Sequence, residues 1–447
     1  MGTAWTLFTS LNRTQRNTFL ASFLGWTLDA FDFFLVTFVI IHISQDLGVR
    51  LAMVSFAVTL TLMMRPIGAF IFGLLAERFG RRLPLMIDIL FYSVIELLTA
   101  ASPNFTVFLI LRALFGIGMG GEWGIGASLA MESLPTESRG LFSGILQQGY
   151  AFGYLIGAII YFFVYDLLPA PFNTWRTMFV IGALPALLVI FIRMRVPESP
   201  IWEQQQIRHR ESGLTLWSSM GRSIMSRFWV FIYLIILMTA FNCLSHGTQD
   251  SYPTFLQGQL KVNVVGTTII TAIANIGAII GGTLFGYSSQ NWGRRRAIIV
   301  ACIIGIFMIP LWSGLLRIPG ISILFTIPLG AFLLQFMVQG AWGVVPIHLN
   351  ELSPTDVRGT FPGFAYQLGN LFASWIVYFE AVIAVNTGSE TTPNFTLALS
   401  IFSAGAFLAV IILTAVGKEA HGIDFATADA QILGKTESPS TGTKTNA

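Results

Sequence analysis

Charge is scarce in this sequence. Asp, Glu, Lys and Arg make up 11% of it, against roughly 25% in soluble globular domains. Cysteine is nearly missing: Cys243 and Cys302 both lie inside apolar runs, so neither a disulfide framework nor a cysteine metal site is implied. No phosphate loop, catalytic triad or metal-ligand cluster is legible, which weighs against an enzyme. No ATPase domain is legible either, which weighs against an ATP-driven pump. Gly116-Ile-Gly-Met-Gly-Gly121 resembles a nucleotide loop in composition, but it sits within an apolar span, where helix packing explains it better. Met1 to Asn17 lacks a cleavable signal pattern, so the first span is expected to stay in the protein.

What the sequence does have is hydrophobicity, at 54% of residues and a mean hydropathy of +0.71. Many apolar runs reach the 18 or so residues that cross a bilayer. Twelve spans are expected near 18–43, 52–76, 84–101, 105–130, 140–165, 176–194, 228–252, 264–288, 297–316, 322–349, 360–384 and 396–416. The expectation is an all-α membrane protein with a first six-helix half (1–194), a polar linker (195–227), a second half (228–416) and a disordered tail (417–447).

The basic residues fall on one side of this scheme. Arg13 and Arg16, then Arg78, Arg81 and Arg82, then the linker's Arg193, Arg195, Arg208, Arg210, Arg222 and Arg227, and then Arg294, Arg295 and Arg296 share a face. The other face has little beyond Arg50, Lys261 and Arg317. The excess of positive charge predicts that the first face, and both termini, are cytoplasmic.

The halves repeat. Gly73-Leu-Leu-Ala-Glu77-Arg-Phe-Gly80-Arg81-Arg82 matches Gly286-Tyr-Ser-Ser-Gln290-Asn-Trp-Gly293-Arg294-Arg295. Trp123, Gly124, Glu132, Pro135, Thr136, Arg139, Gly140, Gly144 and Gln148 meet Trp342, Gly343, Glu351, Pro354, Thr355, Arg358, Gly359, Gly363 and Gln367 in register. Parallel six-helix repeats imply two pseudo-symmetric halves around a central cavity, an arrangement suited to alternating access.

The Gly-x-x-x-Glu-Arg-x-Gly-Arg-Arg loop and its second copy resemble the signature between the second and third spans of the major facilitator superfamily, with Glu77 where Asp is usual. Leu28-Asp29-Ala-Phe-Asp32-Phe-Phe is similar to the first helix of its sialate:proton symporter group. Asn242-x-x-Ser245-His246-x-Thr248-Gln249-Asp250-x-x-x-Thr254 resembles the seventh-helix signature of fungal lactate permease-type carboxylate:proton symporters. The resemblance implies proton-coupled uptake of short monocarboxylates such as lactate, pyruvate or acetate, by a plasma-membrane protein that works as a monomer. The proton serves as coupling ion, with no other cofactor and no nucleic-acid partner. A sialic acid or other organic-acid symporter is the nearest rival. A non-transporting nutrient sensor is another, and the short tail counts against it.

The residues themselves suggest where the chemistry lies. Asp29 and Asp32 stand about 15–22 Å along the first span, near mid-depth of a core about 30 Å thick, and are candidates for proton coupling. Arg112, placed well inside the fourth span, is the candidate cation, either for a substrate carboxylate or for Asp32; its Arg-x-x-x-Gly-x-Gly setting resembles the superfamily's fourth-helix motif. Asn242, His246 and Asp250 stack at i, i+4, with Ser245 and Gln249 beside them, and Pro253 is expected to loosen the helix that ends there. His246 and Asp250 fall about 27 and 33 Å from Phe228 by helix rise, toward the outer mouth. Asp250 therefore suits an outer gate or proton entry, and His246 a mixed role. Gln148 and Gln367, repeat-related, are expected to approach one cavity from opposite sides, with Gln147 and Asn370 at similar depth. Glu77, Arg78, Arg81, Arg82, Glu132 and Arg139, and their copies Arg294, Arg295, Glu351 and Arg358, are expected to latch the cytoplasmic side. The second latch should be the weaker, because Gln290 replaces an acid. Asp88, Glu96 and Glu122 are left without a role.

Overall fold

The computed structural model describes residues 4–49, 51–212, 225, 227–252, 255–316, 320, 322–354, 358, 360–388 and 394–422. Arg50, Arg222, Pro253, Thr254, Arg317, Thr355, Asp356, Gly359 and the tail from 423 onward lie outside the described residues, as do the side chains of Arg208 and Arg210.

The described residues form twelve helical spans. In the first half α1 is Arg13–Asp46, α2 Leu51–Phe79, α3 Arg82–Ala100 and α4 Phe105–Ser133; α5 is broken into Arg139–Gln147 and Gly149–Phe162, and α6 into Trp175–Ile181 and Ala186–Arg195. In the second half α7 is Phe228–Gln249, α8 Val264–Trp292 and α9 Arg294–Trp312. There α10 is broken into Ile323–Trp342 and Val345–Leu352, α11 into Phe361–Ala373 and Ile376–Thr387, and α12 is Phe395–Val416. Among the described residues, 11 helices are long and apolar enough to cross a membrane, with α11 not among them. Large apolar side chains such as Ile159, Phe307 and Trp375 lie exposed around the bundle, as a surface facing lipid requires. The linker is not featureless: Pro200–Ser212 is helical.

Local chemistry sets the helix starts. Asn12, Asn104, Asn263 and Asn394 each accept a backbone N–H from three residues ahead, at 2.8, 3.0, 2.7 and 3.1 Å, which satisfies one of the orphan donors of a first turn. The turns from α2 to α3 and from α8 to α9 pivot on repeat-related Gly80 and Gly293, at φ +93° and +88°, where an L side chain would be strained. At the first turn Glu198 accepts the N–H of Arg81 at 2.6 Å, and at the second Glu419 accepts those of Arg294 and Arg295 at 3.2 and 3.0 Å. A carboxylate thus sits on the N-terminus of α3 and another on that of α9, where the helix dipole favours negative charge. Burial raises the Glu198 carboxyl above its ordinary range, against the backbone donors that lower it.

On the basic face the two halves touch. Thr360 N–H donates to Glu77 at 3.2 Å, Gly140 N–H to Gln290 at 3.1 Å, Gln290 to the Thr136 carbonyl at 3.0 Å, and Ser143 Oγ to the Gly343 carbonyl at 2.8 Å. The backbones approach closely where α5 crosses α8, because a Cβ on Gly144 would run into the Gly282 carbonyl and the Gly286 Cα. Gly144→Leu is therefore expected to hold this face open. Uptake should drop at least tenfold with the protein still in the membrane, and a cysteine at buried Ser143 should become reactive to an impermeant thiol reagent. Unchanged labelling would show that the contact does not control closure.

Candidate functional site

Three glycine contacts position the centre of the first half. Gly116 and Gly120, one turn apart on α4, abut the carbonyls of Thr61 and Arg65 on α2, while Gly68 of α2 abuts that of Ile117. Small residues at this spacing let helices pack backbone to backbone, as the glycine-rich run suggested. The approach brings Arg65 inside the bundle, 4% exposed. Its guanidinium faces the fully buried Asp29 of α1 at 3.4 Å and lies over the Phe33 ring at 5.4 Å.

Arg65 stands at the deep end of a central space. A cavity of about 530 Å³ lies between the halves and takes in Phe34 and Tyr154 on one side, and Gln249, Asp250 and Asn275 on the other. It reaches the far end of α7, where the Asp250 side chain is 41% exposed, so it widens away from the basic face. Below it is a small space of about 20 Å³ walled by Arg65, Gln147, Asn242, Ser245 and Asn370. Phe33, Leu62, Tyr150 and His246 border both spaces.

His246 is the hinge between them. One ring nitrogen meets Asp250 at 3.0 Å and the other meets Asn370 of α11 at 3.0 Å, so the stacked residues of α7 are tied to a different helix. Asn242 donates to the carbonyls of Met238 and Tyr366 at 2.9 and 3.4 Å, and Gln249 to Ser245 and Gln335 at 3.3 and 3.1 Å. Trp123 donates to Gln147 at 3.2 Å. The deep space therefore offers one guanidinium and several neutral amides, with aromatic walls. That combination can orient a small anion without trapping it.

The family profile of the Major Facilitator Superfamily matches residues 22–377. The chain belongs to the Major Facilitator Superfamily. Among relatives of this facilitator, the carboxylic acid transporter protein homolog of Saccharomyces cerevisiae is 29% identical over 430 residues, covering 90% of this chain and 68% of that one. The sialic acid transporter NanX of Escherichia coli is 30% identical over 375 residues, covering 83% and 87%. The proton:xylose symporter XylE superposes with a TM-score of 0.77 at 18% identity, covering 94% of this chain and 99% of that one, a likeness of fold.

The structure departs from the sequence reading of this facilitator at named positions. Arg112 reaches neither substrate space nor a bond with Asp32. It pairs with Glu96 of α3, both fully buried, beneath the rings of Phe115 and Phe179. The arginine that borders the deep space is Arg65, which the sequence reading passed over although it stands inside the second apolar run, next to Pro66. Asp32 also lines neither space and has no hydrogen-bond partner for its oxygens. Gln148 and Gln367 turn away from the cavity. Gln148 packs against Gly282 of α8, and Gln367 accepts from Asn370 at 3.5 Å; their neighbours Gln147 and Asn370 line the space instead. Successive helical residues point about 100° apart, and α5 breaks at Gln148, so depth alone cannot say which amide faces inward. Glu380 of α11, fully buried against Gly247 of α7, was not singled out at all.

On the basic face, Arg81 pairs with Glu77 at 2.8 Å and Glu132 at 3.4 Å. Its repeat partner Arg294 bonds Gln290 and Glu351 at 3.0 Å each. The expected weakness of the second latch has no counterpart in this geometry: Arg294 grips both oxygens of Glu351, and Gln290 bridges to the first half. Glu132 also accepts from Ser199 of the linker. Arg139 and Arg358 hold the carbonyls of Leu134 and Asn350. Arg82 holds that of Arg193 and Arg295 those of Thr414 and Ala415, all within their own halves. Arg78 is exposed, over the Phe79 ring at 5.1 Å.

Proposed function

We propose that this protein carries a short monocarboxylate together with a proton across a cell's plasma membrane by alternating access. The Arg65–Asp29 pair, whose arginine borders the small deep space below the cavity, carries this reading. A carboxylate descending past Asp250, His246 and Gln249 meets Arg65, whose planar fork suits two carboxylate oxygens. Docking draws the guanidinium from Asp29, and a buried carboxylate stripped of its cation is far more stable as the neutral acid. Substrate and proton are thereby linked without touching. Asn242, Ser245, Gln147 and Asn370 complete the cradle, and His246 with Asp250 serves the outer mouth.

The basic face is cytoplasmic in this reading, with both termini inside and the protomer acting alone. Glu77, Gln290 and Ser143, which bond across the halves, hold it shut while the cavity faces outward, and Arg81 with Glu132 and Arg294 with Glu351 brace each half behind them. The similarity to a carboxylic acid transporter homolog supports the substrate class. A second reading, a larger organic acid, is favoured by the similarity to a sialic acid transporter and by a cavity of about 530 Å³, spacious for lactate.

Purified protein in liposomes decides between them. Radiolabelled L-lactate should accumulate when an inward proton gradient is imposed, with acetate competing and sialic acid not. Lactate uptake that ignores the gradient would leave a uniporter or exchanger. Competition by sialic acid alone would move the assignment to larger acids.

A further inference from the structure

The first half buries more acid than its bases can neutralise. Asp29 and Asp32 on α1, Asp88 and Glu96 on α3 and Glu122 on α4 are all 0% exposed, and among the described residues the guanidiniums paired with any of them are Arg65 and Arg112. Arg65 takes Asp29 and Arg112 takes Glu96. Both oxygens of Asp32, of Asp88 and of Glu122 are without a hydrogen-bond partner. An isolated ion in such a place is prohibitively costly, so these three groups hold protons or have water among them.

Their arrangement is directional. Asp88, Tyr92 and Glu96 stand at i, i+4 and i+8 on one face of α3. The Tyr92 hydroxyl is fully buried and unpartnered; Gly118, one turn before Glu122 on α4, abuts Tyr92, and Gly182 of α6 abuts both Glu96 and Asp32, so the charges that bear on the hydroxyl are those of Asp32, Asp29, Glu122 and Asp88. Glu122 lies against Gly25 and Gly126, beside the unpartnered hydroxyl of Ser22, and Gly25 is one turn from Asp29 toward the basic face. Asp88 is six residues into α3, roughly 9 Å from its basic end. None of Asp88, Tyr92, Glu96 and Glu122 borders the substrate spaces.

We propose that Glu122, Tyr92 and Asp88 form a proton exit that runs inside the first half from Asp29 and Asp32 to the basic face, so that proton and carboxylate leave by separate routes. The inference rests on the proton-coupled reading above. Each carboxyl of the row accepts a proton on one oxygen and releases one from the other, and the Tyr92 hydroxyl accepts on its single oxygen while giving up its own hydrogen, directly or through a water held between them; rotation of the hydroxyl and carboxyls then restores the row. Arg65 and Arg112, paired with Asp29 and Glu96, keep the proton from stalling at either acid.

The test uses liposomes loaded with a pH-sensitive dye and compares two activities: net lactate uptake with acidification of the lumen, and lactate–lactate exchange, which needs no proton release. Asp88→Asn and Glu122→Gln should lower net uptake and acidification at least tenfold, with exchange within about twofold of the unaltered protein. Tyr92→Phe, whose ring still packs edge-on to Phe115, should slow net uptake several-fold in the same pattern. Net uptake and acidification at the unaltered rate in all three variants would overturn the separate exit while leaving coupling intact. Parallel loss of exchange in Tyr92→Phe would overturn it too, by making the row part of the carboxylate path. Lactate uptake without acidification by the unaltered protein, or uptake driven by sodium instead, would overturn the coupling reading and the exit with it.

Discussion

Replacing Arg65 with alanine is expected to lower lactate uptake, as kcat/KM, by about 30-fold to several thousand-fold, the equivalent of roughly 2–5 kcal/mol for truncating one partner of a buried charged contact. The variant removes the one cation bordering the deep space among the described residues and also strands Asp29, whose ion partner in the structure is Arg65. Arg65→Lys should recover part of the loss, because the charge returns without the planar fork. Arg112→Lys should behave differently. Arg112 is packed between Glu96 and aromatic rings, so its loss should appear chiefly as reduced thermal stability and slower coupling, with substrate affinity close to normal. An unchanged apparent affinity in Arg65→Ala, at normal levels of protein in the membrane, would remove Arg65 from the site.

Asp29→Asn should separate the two halves of the reaction. The amide cannot take up a proton, yet it can still accept from the Arg65 guanidinium, so the site keeps its shape. Lactate–lactate exchange should persist, while gradient-driven accumulation should fall toward the equilibrium level, a loss of up to about tenfold at a gradient of one pH unit, the most that one proton per lactate can drive. Asp32→Asn tests the neighbouring carboxyl separately. Asp32 has no hydrogen-bond partner for its oxygens and borders neither space, so its substitution should slow accumulation without changing the affinity for lactate. If Asp29→Asn still accumulates lactate against its gradient and Asp32→Asn does not, the coupling group is Asp32 and the Arg65–Asp29 pair is a structural contact.

Much of this molecule was legible before its coordinates. The apolar runs, the arginine-rich turns and the two registers of repeat fixed twelve helices in two halves, because membrane crossing constrains length and polarity so tightly. The stack of Asn242, His246 and Asp250 was legible for a similar reason: polar residues at i, i+4 near a membrane-spanning run must face something other than lipid. The partners of those residues were not. That His246 reaches Asn370, or Arg112 reaches Glu96, depends on which helices are neighbours and how each is rotated, and a single chain's periodicity contains neither. Glu96, to which the sequence assigns no role, is the buried partner of Arg112. Arg65 could have been found. It lies in the middle of an apolar run, and treating Arg112 as the first half's interior arginine hid a second one with the same signature.

The link between carboxylate and proton is most directly measured in the binding step itself, by calorimetry of lactate binding to the purified protein in two buffers of different ionisation enthalpy. Near neutral pH, about one proton should be taken up with each lactate bound by the unaltered protein, and none by Asp29→Asn. Lactate that binds the unaltered protein with the same heat in both buffers would contradict the linkage through Arg65 and Asp29.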